Sequence, residues 1–276
     1  MPQDALPFVI TVAVAALIGA PLLRGLADGG FTVTNYRGVA LPCPLGLLIP
    51  AAVTIAFVPL ALLQVLGVDD ALGVAGVGFV LGVVALGLAD DAYSGASRGW
   101  RGHAAAVREG RFSTGALKAV GIGGLALFAT ARPPGDELDW LLSALVLVLC
   151  TNLFNLLDLR PGRAVKAYAL VVAGCAVVAW DADLFWGLGA WTAAFLVCGA
   201  FDLREQGMLG DTGSNAIGAV AGLWLVGTID SNLGLGIAAI VLLAVTAYGE
   251  FRSISAFVER TPGLRHLDSL GRVHRA

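Results

Sequence analysis

DWLLSALVLVLCTNLFNLLD, residues 139–158, is an apolar run that closes on three polar side chains. At 1.5 Å per residue a helix of this length crosses the roughly 30 Å hydrocarbon core of a bilayer. Asn152, Asn155 and Asp158 follow one another at three-residue intervals, which puts them on one stripe of that helix at its carboxyl end. Amides and acids so placed either join helices to one another or form a site at the membrane boundary.

Comparable apolar stretches fall at about 6–23, 41–66, 71–89, 115–131, 164–180, 184–201, 214–229 and 233–250, so the sequence predicts an all-α, polytopic transmembrane bundle of about nine spans. The composition agrees: 58% of residues are hydrophobic and 13% charged, far from the balance of a water-soluble domain, and the mean hydropathy is +0.84. The 37 glycines suit helices packed closely in lipid. Residues 1–276 read as a single integral membrane domain, its first apolar run a retained helix and 251–276 a polar, interfacial tail. In that tail Ile254, Phe257, Val258, Leu264, Leu267 and Leu270 recur at helical spacing among charged residues, as in a helix lying on a membrane surface. Cys43, Cys150, Cys175 and Cys198 form no C-x-x-C pair and read as small packing residues. The net charge of −3, without a basic arm, gives no footing for nucleic acid.

Basic residues orient the bundle. Arg24 and Arg37 follow span one; Arg98, Arg101, Arg108 and Arg111 follow span three; Arg160, Arg163 and Lys166 follow span five. Arg204 follows span seven, and Arg252, Arg260, Arg265, Arg272 and Arg275 follow span nine, whereas the opposite loops hold only Arg132. The positive-inside rule then sets the amino end outside and the carboxyl end in the cytoplasm of a cell (inner or plasma) membrane.

Every candidate for chemistry falls on that cytoplasmic side. Asp90-Asp91 closes span three, and adjacent carboxylates call for a shared cation or mark a solvated helix end. Gly210-Asp211-Thr212-Gly213-Ser214 opens span eight, where Asp211 adds a third acid and the helix-start N–H groups suit an anion, or where an ordinary cap begins a helix. Asn35-Tyr36-Arg37-Gly38, followed by Pro42-Cys43-Pro44-Leu45-Gly46, is a stiff loop that could present Arg37 to a phosphate, or a plain loop whose arginine only marks topology. Lys118 at the start of span four can snorkel or hold a phosphate, and His103 can serve in acid–base chemistry or face solvent.

Together, the Asn-x-Arg loop with its Pro-x-Pro-x-Gly continuation, the Asp-Asp pair, the lysine, the Asn-x-x-Asn-Leu-x-Asp helix and the Gly-Asp-x-Gly-Ser turn occur in an order that resembles the polyprenyl-phosphate N-acetylhexosamine-1-phosphate transferases. This is the family of the phospho-N-acetylmuramoyl-pentapeptide transferase and the UDP-GlcNAc:undecaprenyl-phosphate transferases. The likeness runs from about Asn35 to Arg272. It implies an enzyme that moves a sugar-1-phosphate from a UDP-sugar to polyprenyl phosphate for cell-envelope glycans such as peptidoglycan. Implied catalytic residues are Asp90, Asp91 and Asp211; implied ligands of Mg²⁺, with Mn²⁺ as alternative, are Asp211 and Asp91; implied substrate contacts are Asn35, Arg37, Lys118, Asn152, Asn155, Asp158, Arg265 and His266. Implied partners are the polyprenyl phosphate, the nucleotide sugar and membrane lipids, with a homodimer left open.

The chain departs from the family pattern where Leu159-Arg160-Pro161-Gly162-Arg163 follows Asp158, so that Pro161 stands in place of the acid that helps read the base. A usual cluster of histidines is reduced to Arg265-His266. These departures keep a second expectation open: a non-catalytic descendant that binds polyprenyl phosphate or an envelope-assembly partner. A transporter ranks lower, since its acids would lie at mid-membrane on several helices.

Overall fold

The computed structural model describes residues 5–68, 73–93, 108–110, 112–132, 136–179 and 183–272. Arg98, Arg101, His103, Arg111 and Arg275 lie outside the described residues. Twelve α-helices make up the described fold: α1 (Leu6–Asp28), α2 (Leu48–Val65), α3 (Val77–Ala92), α4 (Thr114–Ala129), α5 (Glu137–Leu157), α6 (Arg163–Ala179), α7 (Asp183–Gly187), α8 (Gly189–Leu203), α9 (Gly210–Thr228), α10 (Asn232–Phe251), α11 (Ile254–Arg260) and α12 (Pro262–Ser269).

Each sequence stretch has a helix, but the count of nine spans is corrected. Among the described residues, four helical segments are long and apolar enough to cross a membrane: Leu6–Asp28, Leu45–Val65, Glu137–Leu157 and Asn232–Phe251. That is the make-up of a multi-pass membrane protein. Helices α3, α4, α6 and α8 have 16, 16, 17 and 15 residues, about 22–26 Å at 1.5 Å per residue and short of the hydrocarbon core. Apolar composition overstated α3 and α8 because part of each run is spent on turns, whereas the runs of α4 and α6 are themselves only about as long as their helices. In the third stretch, for example, α3 starts only after Gly76, whose φ of 70° ends any helix before it.

Helix α9 is the centre of the bundle, packed against α3, α5 and α6. Every residue from Thr212 to Gly222 is buried, which its small Gly, Ala and Ser side chains permit by letting neighbouring backbones approach. Helix α1 packs on α2 and α8, α4 joins α3 to α5, and α10 lies along α5. Some polar groups inside this packing are paired: Trp224 Nε1 donates to the Tyr168 hydroxyl at 3.0 Å, which lies 2.6 Å from Thr192 Oγ1, whereas Ser143 Oγ and Asn215 Nδ2 are buried without a partner among the described residues. Cys150, Cys175 and Cys198 are buried free thiols, as expected of small packing residues.

The first loop is more ordered than a stiff turn. Thr32–Thr34 (β1) pairs antiparallel with Ala40–Pro42 (β2), Thr32 opposite Pro42, and Asn35 Oδ1 holds the turn by accepting from the N–H of Arg37 at 2.8 Å and of Val39 at 3.0 Å. The backbone then runs beside the approach to α9: Met208 N donates to Pro42 O at 2.8 Å, Leu45 N to Met208 O at 2.7 Å and Gly46 N to Leu209 O at 2.9 Å. The tail is two short helices, α11 and α12, broken at Thr261-Pro262, with Phe257, Leu264, Leu267 and Leu270 exposed.

Gly87 carries the α3–α9 approach. A Cβ there would stand 2.7 Å from the Asp211 carbonyl oxygen and 2.9 Å from Thr212 Cα, both backbone atoms that cannot step aside. Gly87→Ala should therefore part the two helices and cost about 1–3 kcal/mol, read as a lowered midpoint of thermal unfolding in detergent; an unchanged midpoint would mean that α3 and α9 do not meet there.

Candidate functional site

Four helices bring their polar ends together. Asp90 and Asp91 occupy the last turn of α3, Asp211, Thr212 and Ser214 the first turn of α9, Lys118 the second turn of α4, and Asn155 the last turn of α5. Helix α4 starts where it does because Ser113 caps it, its Oγ accepting from Ala116 N at 3.2 Å.

Lys118 Nζ lies between two carboxylates, 2.7 Å from Asp90 Oδ2 and 2.5 Å from Asp211 Oδ2. With its amide turned so that both ends are satisfied, Asn155 donates to Asp211 Oδ1 at 2.9 Å and to Ser214 Oγ at 3.2 Å, and accepts from Lys118 Nζ at 3.2 Å. Asp91 faces elsewhere. Its Oδ1 accepts from Asp211 N at 2.9 Å, and its Oδ2 accepts from Thr212 N at 2.8 Å and Thr212 Oγ1 at 2.6 Å. It is a capping anion supplied to α9 from another helix. Gly210, at φ 70°, lets that carboxylate in: a Cβ there would lie 2.8 Å from Asp91 Oδ2.

Burial raises the Asp90 carboxyl, but its bonds to Asp211, Lys118 and Thr114 outweigh that and hold it down to about 2. Asp211 is pushed up to about 6 by burial, against the pull of Lys118 and with the bond to Asp90 adding to the rise. Asp91 is raised by burial, opposed by its bonds to Thr212 and to the Asp211 N–H. Three acids around one ammonium leave the cluster short of positive charge.

A divalent cation is what the resemblance implies here. Among the described residues no group of three His, Cys, Asp or Glu side chains is arranged to hold a metal ion. Asp211 and Asp90 do turn carboxylate oxygens toward one point, at Lys118. Mg²⁺ in phosphoryl-transfer sites takes one or two carboxylates and completes its shell with water and substrate phosphate. Two carboxylates match the protein's share of such a shell, and the oxygens that converge here hold the Lys118 ammonium. Asp91, expected as a ligand, is occupied with the α9 start, and Asp90 is the acid that faces Asp211.

A small, solvent-open cleft lies beside the cluster, lined among others by Asn35, Tyr36, Asp158, Arg160, Pro161 and Asp202. Asp158 has no hydrogen-bond donor among the described residues; burial, then the charges of Asp202, Asp211 and Asp91, raise it well above the usual carboxylate range. Asp202 accepts from Gly162 N at 2.5 Å and is pushed up to about 7, burial outweighing that bond. Arg160 stacks over the Tyr36 ring at 4.2 Å. Across the opening, Glu205 lies 3.4 Å from Asn35 Nδ2, 3.4 Å from the Tyr36 hydroxyl and 3.5 Å from Arg37 Nε.

Of the residues expected to form the site, Asp90, Asp91, Lys118, Asn155 and Asp211 meet in the cluster, while Asn35 and Asp158 line the cleft and Arg37 sits at its edge on Glu205. Asn152 is exposed and shares none of these bonds, and Arg265 and His266 are exposed on α12, outside both. Sequence reasoning missed Asp202 and Glu205. The signal for Asp202 was its place as the first acid after the apolar stretch 184–201. Compared with known proteins, the chain matches no family model and no curated protein.

Removing the ammonium while its partners stay should be costly. Lys118→Met is expected to lose about 3–5 kcal/mol, the range for breaking one side of a buried ion pair, and Asp211→Asn added to it should recover part of that loss; unfolding in detergent that leaves Lys118→Met at wild-type stability would refute the bridge. Asp202 also makes stability depend on pH. Its carboxyl has an ordinary value of 3.8 and is held near 7 in the fold, so between pH 4 and 7 the folded protein keeps a proton that the unfolded chain has released. The stabilisation is complete below pH 4 and lost as pH rises through 7. Unfolding midpoints across pH 4.5–7.5 should fall less steeply in Asp202→Asn than in wild type, and parallel curves would remove Asp202 as a cause.

Proposed function

We propose that the protein transfers a sugar-1-phosphate from a nucleotide diphosphate sugar, UDP-linked, to polyprenyl phosphate, at the cytoplasmic face of the membrane, for cell-envelope glycan synthesis. The observation that carries this reading is the convergence of Asp90, Asp91, Lys118, Asn155 and Asp211, from four separate helices, on one cluster at one end of the bundle. Their basic company, Arg24, Arg37, Arg160, Arg163 and Arg204, supports the cytoplasmic assignment of that end. The membrane location follows from the chemistry: a polyprenyl tail stays in lipid while its phosphate meets a water-soluble donor at the boundary.

In the reaction a phosphate oxygen of the lipid bonds to the β-phosphorus of the donor. The bond from that phosphorus to the oxygen bridging it to the α-phosphorus breaks, and the nucleoside monophosphate leaves with those electrons. Bound by Asp211 and Asp90, Mg²⁺ would supply charge neutralisation on the diphosphate. Lys118 contributes a second positive charge beside the reacting phosphates, and Asn155 orients both Lys118 and Asp211. Held near 2, Asp90 is ionised at neutral pH and a weak proton acceptor, which supports an orienting role over a basic one. Asp91 keeps the α9 start in place, and Asn35, Asp158 and Arg160 offer the cleft beside it for the donor.

One observation favours the other reading, a non-catalytic binder of polyprenyl phosphate or of an envelope-assembly partner: Arg265 and His266, the pair that would grip a diphosphate, are exposed away from the cluster. Radiolabel transfer by the purified protein separates the two, using undecaprenyl phosphate, Mg²⁺ and a panel of UDP-sugars. Labelled lipid is expected, with Asp211→Asn reducing the rate at least about tenfold, or roughly 1.4 kcal/mol of barrier. No label from any donor, with the protein folded and binding the lipid phosphate, would favour the binder.

A further inference from the structure

The carboxyl-terminal segment does more than lie on a surface. Asp268 of α12 is wedged between two guanidinium groups: Arg163 Nε and Nη2 donate to its two oxygens at 2.9 and 3.1 Å, and Arg272 Nη2 donates at 2.6 Å. The side chains of Arg163, Asp268 and Arg272 are only 7, 12 and 10% exposed, and a bidentate pair so enclosed is geometrically demanding. Arg163 Nη1 also donates to Ser255 Oγ at 3.1 Å. Lys166 Nζ takes up the carbonyls of Leu267 and Asp268, at 3.2 and 2.6 Å, answering two of the four acceptors that the end of α12 would leave open.

These bonds end on the turn that walls the cleft. Arg272 Nε donates to the Pro161 carbonyl at 2.8 Å, Arg160 meets Glu259 of α11 at 3.0 Å, and Arg163 is the first residue of α6. Three residues of the turn, Arg160, Pro161 and Arg163, are thus held by the tail, while Gly162 is held from the opposite side by Asp202. The same turn begins at Asp158, and its Arg160 is the cation that lies over Tyr36.

We propose that the segment Ile254–Arg272 is a strap that sets the shape of the cleft, with Asp268 as its positioning residue. Asp268 touches no substrate; it fixes Arg272 and Arg163, which fix the Leu159–Gly162 turn and so the placement of Asp158 and Arg160. The strap itself is independent of the transferase assignment. That it tunes the donor side of the reaction rests on that assignment.

Two measurements on the purified protein in detergent test it, with Arg260→Gln, an exposed change at the end of α11 outside these bonds, as control. In Asp268→Asn, hydrogen exchange should quicken by about tenfold or more at amides 159–166 and stay unchanged at 212–222 in α9. Unchanged exchange at 159–166 would overturn the proposal, and so would a rise of equal size throughout the bundle, which would mark Asp268 as a general stability element. In the transfer assay, Asp268→Asn should raise KM for the UDP-sugar about fivefold or more with kcat and the KM for polyprenyl phosphate nearly kept; a fall in kcat with both KM values unchanged counts against it. Should the wild type transfer nothing, the exchange arm still decides the strap, and only the transferase reading fails.

Discussion

The bonds from Asp91 to the start of α9 are the constraint on which the rest is arranged. A helix buried from Thr212 to Gly222 begins with backbone N–H groups that have no partner inside the helix and little water to turn to. Asp91 answers two of them and the Thr212 hydroxyl at once, and an anion at that end is favoured by the helix dipole as well. The cap fixes the end of α3 against the start of α9, and Gly87, one turn earlier, lets the backbones close. The next consequence is angular. Asp90 precedes Asp91 by one residue, about 100° around the helix, so capping α9 with the second acid turns the first toward α4 and Lys118.

Once Asp90 faces Lys118, the charges order themselves. The ammonium satisfies two acids by direct contact and leaves the third to the helix dipole. Asp90 gains most and is held low, whereas Asp211 is held high because it is desolvated beside another carboxylate. The cluster therefore has a low-lying anion, a shared cation and an acid near its titration point within one set of contacts. Under the proposed transferase reading, a phosphate arriving with a divalent cation would add positive charge to the acids and negative charge to Lys118 without stranding either.

The helices and the cluster were legible in the sequence for different reasons. Apolar runs signalled helices wherever they occurred, and each predicted stretch has one, but hydropathy sees neither the left-handed Gly76 nor the break at Leu188, so the runs that hold α3 and α8 were read as too long, while those of α4 and α6 match their helices and are simply short. Order along the chain joined Asp90, Asp91, Lys118, Asn155 and Asp211, and the fold brings the five side chains together. What spacing could not decide was direction: Asn152 and Asn155 are three residues apart, yet Asn152 is exposed while Asn155 reaches Asp211. Nor could it divide the work of two adjacent acids, because which of them caps α9 depends on the crossing of two helices far apart in sequence. Asp202, in the last turn of α8, and Glu205, on the turn after it, follow an apolar run with no repeated pattern, so only the fold sets them beside Gly162 and Asn35 respectively.

Basic residues near the ends of apolar helices are usually read as markers of topology, and the sequence alone reads Arg160, Arg163, Lys166 and Arg272 that way. In the folded chain the same four charges also hold the turn after α5 to the tail. The two roles are compatible because they act at different stages. Orientation is decided by the count of positive charge that stays on the cytoplasmic side, which asks nothing of geometry, whereas the tertiary role asks for planar, bidentate donors at set positions. Arginine serves both, and at Arg163 lysine would keep the topological charge while losing the two-point grip on Asp268. The turn from Asp158 to Arg163 is therefore under three demands at once: it ends one helix, begins another and carries side chains of the cleft. Its proline and its left-handed glycine, Gly162 at φ 71°, restrict the backbone, and the contacts from Asp202 on one side and Arg272 on the other select the single course that meets all three.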